Sequence, residues 1–342
     1  MSTSQTINKT WLISQEALEN WLDSLAKARS LIAPRDVDGV LLYRPVENSN
    51  QIKWGFTRPV LSAKEVFFPS TERLLKIEKT NQHVTLLETL PEGQTVIFGL
   101  RPCDARGLQA LDALFIKHTP TDPYYARRRE NTAIIGLACK EMGPTCFCTS
   151  VGGAPDDSDG MDVMLYETED SYLVRAMTEK GLALIPQTEW PLTEEVPAPA
   201  KMDAPLYSLP QQNSWPAHFN ANYWEHVSER CLSCRVCAYV CPTCRCFVIR
   251  DESLTAPGQF ERIRCWDSCN GANYRRIAGG HRPRSEKGER LRNRFYCKFY
   301  YYAEQYDLGE QTSACTGCGR CVDSCPVNID ITEVLTELGR LA

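Results

Sequence analysis

Cysteine is the residue here whose spacing could do chemistry. Residues 231 to 242 read CLSCRVCAYVCP and residues 315 to 326 read CTGCGRCVDSCP, so the run C-x2-C-x2-C-x3-C-P occurs twice. Two-residue gaps let one tight loop aim three thiolates at three irons of a [4Fe-4S] cubane. The proline biases the cysteine before it away from helix, and that sulfur then serves the other cluster. One cluster is expected on Cys231, Cys234, Cys237 and Cys325, and a second on Cys315, Cys318, Cys321 and Cys241. A pair of zinc sites competes, since C-x2-C is also zinc-ribbon spacing. A ribbon supplies two cysteines per knuckle, however, and a tetrahedral ion has no use for a third and fourth in this rhythm, twice over.

Other cysteines fall outside these runs. Cys103 and Cys139 each follow a predicted strand, where open α/β sheets place their ligands, and Cys146 and Cys148 lie on the next loop. Those four would suffice for a third cluster; buried free cysteine is the plain alternative. Cys244, Cys246, Cys265 and Cys269 abut the first run and are the other candidates for that third site, with the N-terminal set preferred. Cys297, in a helical stretch with no cysteine at helical spacing, reads as core packing. Gly317 and Gly319 in the second run against Ser233, Arg235 and Val236 in the first imply unequal reduction potentials.

No G-x-G-x-x-G, H-E-x-x-H or P-loop is present, and none of the five histidines has a triad-like or metal-ligand pairing. No catalytic residue is expected, and the chain is not expected to be an enzyme by itself. The 43% hydrophobic and 24% charged residues are ordinary for a globular protein, and a net charge of -5 argues against nucleic acid as a partner. Seventeen cysteines crowded into short spacings point to metal in a reducing compartment rather than to disulfides. The start lacks the pattern of a secretory signal, and no apolar run approaches the roughly 20 residues that span a bilayer. A cytoplasmic protein without a membrane partner is expected.

The elements that must position these cysteines are legible in outline. Leu18, Trp21, Leu22 and Leu25 give residues 12 to 30 a helical period. Residues 94 to 115 read as a buried strand and then a helix capped by Asp104, residues 132 to 138 as a second buried strand, and residues 161 to 176 as a hairpin turning near Glu169 and Asp170. Residues 186 to 216 are proline-rich and read as a linker. Beyond them the pattern is helical, with a long helix striped by Leu291, Phe295, Phe299 and Tyr302 and a last helix opening at Asp330, and no strand is expected between them. The fold class expected is α+β and multidomain: an α/β domain over residues 1–185, holding a third iron-sulfur or flavin site, then an all-helical ferredoxin-like domain over 217–342. Basic residues outnumber acidic ones between Glu261 and Arg294, a stretch that suits partner docking.

The ordered set FGLRPCDARGL, CFCTSVGG, CPTCRCF, CWDSC, AGGHRPR and CTGCGRCVDSCP resembles the beta subunit of cytoplasmic NAD(P)-linked [NiFe] hydrogenases, the sulfhydrogenases, and equally the iron-sulfur subunit family of anaerobic sulfite reductases. The resemblance covers nearly the whole chain. It implies a helical ferredoxin domain and a relay of electrons between a flavin subunit that handles NAD(P)H and the hydrogenase subunits that lead to the catalytic metal. Sulfite reductase subunits are the alternative partners, and a flavin-binding oxidoreductase acting on its own is an alternative of another class. A siroheme pattern is not matched, because Cys139 and Cys146 enclose six residues where that family pattern has five.

Overall fold

The computed structural model describes residues 9–186, 189–198, 206–309 and 311–341, so the proline-rich stretch read as a linker lies partly outside the described residues. The chain opens with β1 (Thr10–Ser14), α1 (Gln15–Ala28), β2 (Ser30–Val37), β3 (Val40–Val46), α2 (Lys64–Phe67), β4 (Thr71–Lys79) and β5 (Val84–Glu88). Next come β6 (Thr95–Leu100), α3 (Pro102–Phe115), α4 (Pro123–Asn131), β7 (Thr132–Leu137), β8 (Val163–Glu167), β9 (Ser171–Ala176) and α5 (Glu179–Leu182). The later residues form α6 (Tyr223–Glu229), α7 (Val236–Tyr239), β10 (Phe247–Ser253), β11 (Gln259–Trp266), α8 (Lys287–Tyr296), a π-helical turn at Cys297–Tyr301, α9 (Tyr302–Gln305), α10 (Arg320–Asp323) and α11 (Ile331–Arg340).

A seven-stranded sheet runs in the order β1-β9-β8-β7-β6-β2-β3. Its four middle strands, β8, β7, β6 and β2, are parallel, and the outer ones pair antiparallel. Because both faces are covered, β6 and β7 are almost continuously apolar. Val96, Phe98, Ile135 and Leu137 meet Leu18, Trp21, Leu22 and Leu25 of α1 on one face. Ile97, Leu100 and Ile134 meet Leu108, Leu111 and Phe115 of α3 on the other. Gly99, at φ 75°, makes a bulge in β6 that offsets its register against β7 and sets the exit toward Cys103.

The expected pairing of an α/β domain with an all-helical ferredoxin-like domain is not what the chain builds. Between the two cysteine runs, β10 and β11 form a hairpin that joins β4 and β5 in a second, antiparallel sheet of order β10-β11-β4-β5. The strand signal was concealed by chemistry: β10 is mostly exposed, and the buried residues of β11 are Ile263 and Arg264. Glu72 accepts from Arg264 Nε at 3.0 Å and also pairs with Arg128. A cross-strand ion pair thus stands where an alternating apolar pattern would be expected. Strands β1 to β5 likewise were not foreseen from the sequence.

The later helices pack around aromatic side chains. Trp215 stacks on Phe299 at 5.6 Å, Trp224 meets Phe295 and Tyr296, and Val334, Leu335 and Leu338 of α11 complete that core. Asp104 does not cap α3. Arg101 occupies the N-cap with no side-chain cap bond, Pro102 lies in the first turn, and the Asp104 carboxylate turns instead to Arg320.

Candidate metal centres

The two cysteine runs fold as matching loops. Ser233 and Arg235 in the first and Gly317 and Gly319 in the second all take positive φ, between 53° and 72°. The difference in sequence follows from what each loop touches. A Cβ on Gly317 would stand 2.5 Å from the backbone of Phe147 and Cys148, whose loop lies against it through the Phe147 N–H to Gly317 carbonyl bond of 2.8 Å. Glycine is therefore required in the second loop by close approach, whereas the first carries L-residues in a left-handed conformation.

Cys231, Cys234, Cys237, Cys325 and Cys321 line one hollow, together with Asn270 and Arg294. Asn270 Nδ2 donates to Cys231 Sγ at 3.6 Å, Ser233 N–H to the same sulfur at 3.4 Å, and Ile329 N–H to Cys325 Sγ at 3.2 Å. Arg294 is 3% exposed, makes no carboxylate ion pair among the described residues, and leaves Nε without a partner. Its electrostatic partners are the thiols Cys237, Cys321, Cys244 and Cys241, which hold its proton more tightly than usual against the opposing effect of burial. A buried cation with sulfur and the Phe295 ring around it, and no carboxylate, fits a site built for a group of negative charge.

Cys315, Cys318, Cys321 and Cys241 lie close enough to interact with one another. Burial pushes the Cys321 thiol up to about 12, although Arg294 opposes the shift. Among the described residues, no three His, Cys, Asp or Glu side chains are placed to hold a single metal ion.

The carboxyl ends of the parallel strands β6 and β7 emerge side by side, and Cys103, Cys139, Cys146 and Cys148 line one hollow of about 390 Å³ there, with Arg58, Arg101, Gly317 and Cys318. Cys103 sits in the first turn of the 14-residue α3, whose N–H groups favour negative charge. Arg58 Nη1 donates to Cys146 Sγ at 2.9 Å, and Arg101 is fixed by the carbonyls of Leu137 and Ala138 at 3.1 and 2.8 Å. Burial, reinforced by Cys146 and Cys139, pushes the Cys148 thiol up to about 12.

The other candidate set is divided. Cys244, Cys246 and Cys269 lie near one another, while Cys265 faces Val248 across the hairpin and receives Arg250 Nη2 at 3.4 Å. Cys297, expected to be core packing, receives Arg245 Nη1 at 3.3 Å beside that group. Three arginines of the basic stretch read as a docking face are turned inward. Arg290 and Arg294 are buried, and Arg292 donates to the Phe219 carbonyl at 2.8 Å while lying 3.7 Å over its ring. No helix of the described residues is long and apolar enough to cross a membrane.

Residues 230–329 match the family model described as a 4Fe-4S dicluster domain. The chain is 31% identical over 339 residues, covering 95% of its length and 97% of the relative's, to sulfhydrogenase 2 subunit beta of Pyrococcus furiosus. No solved structure matches. The match to the dicluster family and the two cysteine runs make this an iron-sulfur electron-transfer subunit, and by full-length similarity the chain belongs to the family of sulfhydrogenase beta subunits.

Proposed function

We propose that the chain relays electrons between a catalytic [NiFe] module and an NAD(P)H-linked flavin subunit in a hydrogenase complex. One observation carries the reading: the cysteine sites adjoin in series. Cys321 of the second run lines the hollow of the first, and Cys318 of the second run lines the hollow of Cys103, Cys139, Cys146 and Cys148. The second run thus stands between the other two sites. A [4Fe-4S] cluster held at each would supply one-electron transfer. The protein's own part is to hold the thiols, bring Arg58, Arg294 and backbone N–H groups against them, and exclude water. The crowding of seventeen cysteines into short metal-binding spacings supports a reducing, cytoplasmic setting.

The purified chain alone is expected neither to consume hydrogen nor to oxidise NAD(P)H, yet once reduced to pass electrons to an added acceptor. Oxidation of NADPH by the lone chain at enzyme-like rates would overturn the relay and favour a self-sufficient flavoenzyme.

The ligand assignment we propose is crossed: Cys231, Cys234, Cys237 and Cys325 for one cluster, Cys315, Cys318, Cys321 and Cys241 for the next, and Cys103, Cys139, Cys146 and Cys148 for a third. The mutual interaction of Cys241 with Cys315, Cys318 and Cys321 supports it. Cys241→Ala is then expected to abolish the spectroscopic signal of the second-run cluster and to leave that of the first. Loss confined to the cluster on Cys231, Cys234 and Cys237 contradicts the crossing.

A further inference from the structure

Cys244, Cys246, Cys269 and Cys297 come from three separate segments and meet at one place. The β10–β11 hairpin brings two of them together: Cys246 immediately precedes β10, its carbonyl accepts the Asp267 N–H at 2.8 Å beyond the end of β11, and Cys269 lies two residues further on. Cys269 lies near Cys246, Cys297 and Cys244, and the bonds from Lys298 to Cys244 and from Arg245 to Cys297 tie the first and third segments together. Cys297 arrives from the far side, as the first residue of the π-helical turn that interrupts the helix after α8. Such wide turns insert an extra residue into a helix and are frequent at functional sites.

A second observation concerns charge. Lys298 is 4% exposed, and its ammonium donates to Cys244 Sγ at 3.0 Å. Arg245 donates to Cys297 Sγ at 3.3 Å and lies 3.8 Å over the Tyr302 ring. Neither cation has a carboxylate partner among the described residues. Neutral thiols would leave a buried ammonium uncompensated, which is costly. Thiolates bound to metal would answer the charge.

We infer that Cys244, Cys246, Cys269 and Cys297 ligate a fourth iron-sulfur cluster, flanked by Lys298 and Arg245. The inference rests on reading the chain as an iron-sulfur carrier, but not on the crossed assignment, which the Cys241 variant tests separately. Cys244 lies near Cys241, the last cysteine of the first run, so the site adjoins the cysteines of the two runs. An electron exchanged there leaves one cluster oxidised and its neighbour reduced by one.

The test measures iron, acid-labile sulfide and zinc in the full chain purified anaerobically. Cys269→Ser with Cys297→Ser is expected to lose about four irons and four sulfides relative to the unaltered chain, whereas Cys265→Ser loses none. An unchanged iron count in the double variant, or a loss of zinc instead of iron and sulfide, overturns the assignment. Arg245→Met keeps every ligand and decides the matter if the double variant loads no cluster at all. It is expected to retain full iron while lowering the reduction potential of one cluster signal, since removal of nearby positive charge disfavours the reduced state. A redox titration indistinguishable from that of the unaltered chain overturns the proposal.

Discussion

Replacing Asp104 by alanine is expected to destabilise the chain by about 3–5 kcal/mol, the usual cost of leaving one partner of a buried ion pair alone. Asp104 and Arg320 are each 1% exposed, and the pair is bidentate, with Nη1 to Oδ1 and Nη2 to Oδ2 both at 2.7 Å. Arg320 Nε also donates to the Pro59 carbonyl at 2.9 Å, and Tyr43 donates to Asp104 Oδ2 at 3.4 Å. The guanidinium therefore joins the loop carrying Cys318 and Cys321 to the first turn of α3, one residue from Cys103. Asp104→Ala should lower the urea midpoint of the anaerobic, cluster-loaded chain and speed the loss of iron to a chelator. Asp104→Leu combined with Arg320→Met removes both charges and is expected to cost much less, because no unpaired ion remains. A single variant that shifts stability by less than about 1 kcal/mol would mean that the pair does not bind the two halves together.

The second large effect is expected at the hairpin. Glu72 is buried between Arg264 of β11 and Arg128 of α4, with Asp122 sharing the Arg264 guanidinium on the other side. Glu72→Ala leaves Arg264 with Asp122 alone, in a setting lined by the rings of Phe68 and Phe247 at 5.0 and 5.4 Å. The expected destabilisation is about 3 kcal/mol. It should appear first as faster proteolysis within residues 247–266, since the hairpin is held to β4 through this ion pair. Cleavage at the unaltered rate would show that backbone pairing with β4 suffices. If Cys246 and Cys269 are placed by this hairpin, the variant should also lose iron from the site they form and keep that of the two cysteine runs.

The features legible in the sequence were those written in short windows. A cysteine run of twelve residues holds its ligand spacing along the chain, so both loops and their thiols were readable before any fold. The apolar runs of β6 and β7 and the helical period of α1 belong to the same class, because burial on both faces or on one stripe leaves a local pattern. The convergence of Cys103, Cys139, Cys146 and Cys148 was also foreseeable, since cysteines just past neighbouring parallel strands emerge at one edge of the sheet.

Tertiary structure alone decided what depends on distant partners. Arg264 meets Glu72 across 192 residues, and this ion pair, not an apolar alternation, marks β11 as a buried strand, which is why an all-helical C-terminal region was expected and a second sheet was found. Asp104, readable only as a helix cap, is committed to Arg320 across 216 residues. Counting charge along residues 261 to 294 gives a basic surface, yet Arg290 and Arg294 point inward, because direction depends on what the helix packs against. The surroundings of Cys265 and Cys297 were hidden for the same reason, although Cys297 does pack against the buried Tyr302 and Ala314 as expected. Strand pairing turns the first toward an exposed arginine, and a π-helical turn brings the second to Arg245 beside Cys269, a neighbourhood that no spacing in the chain encodes.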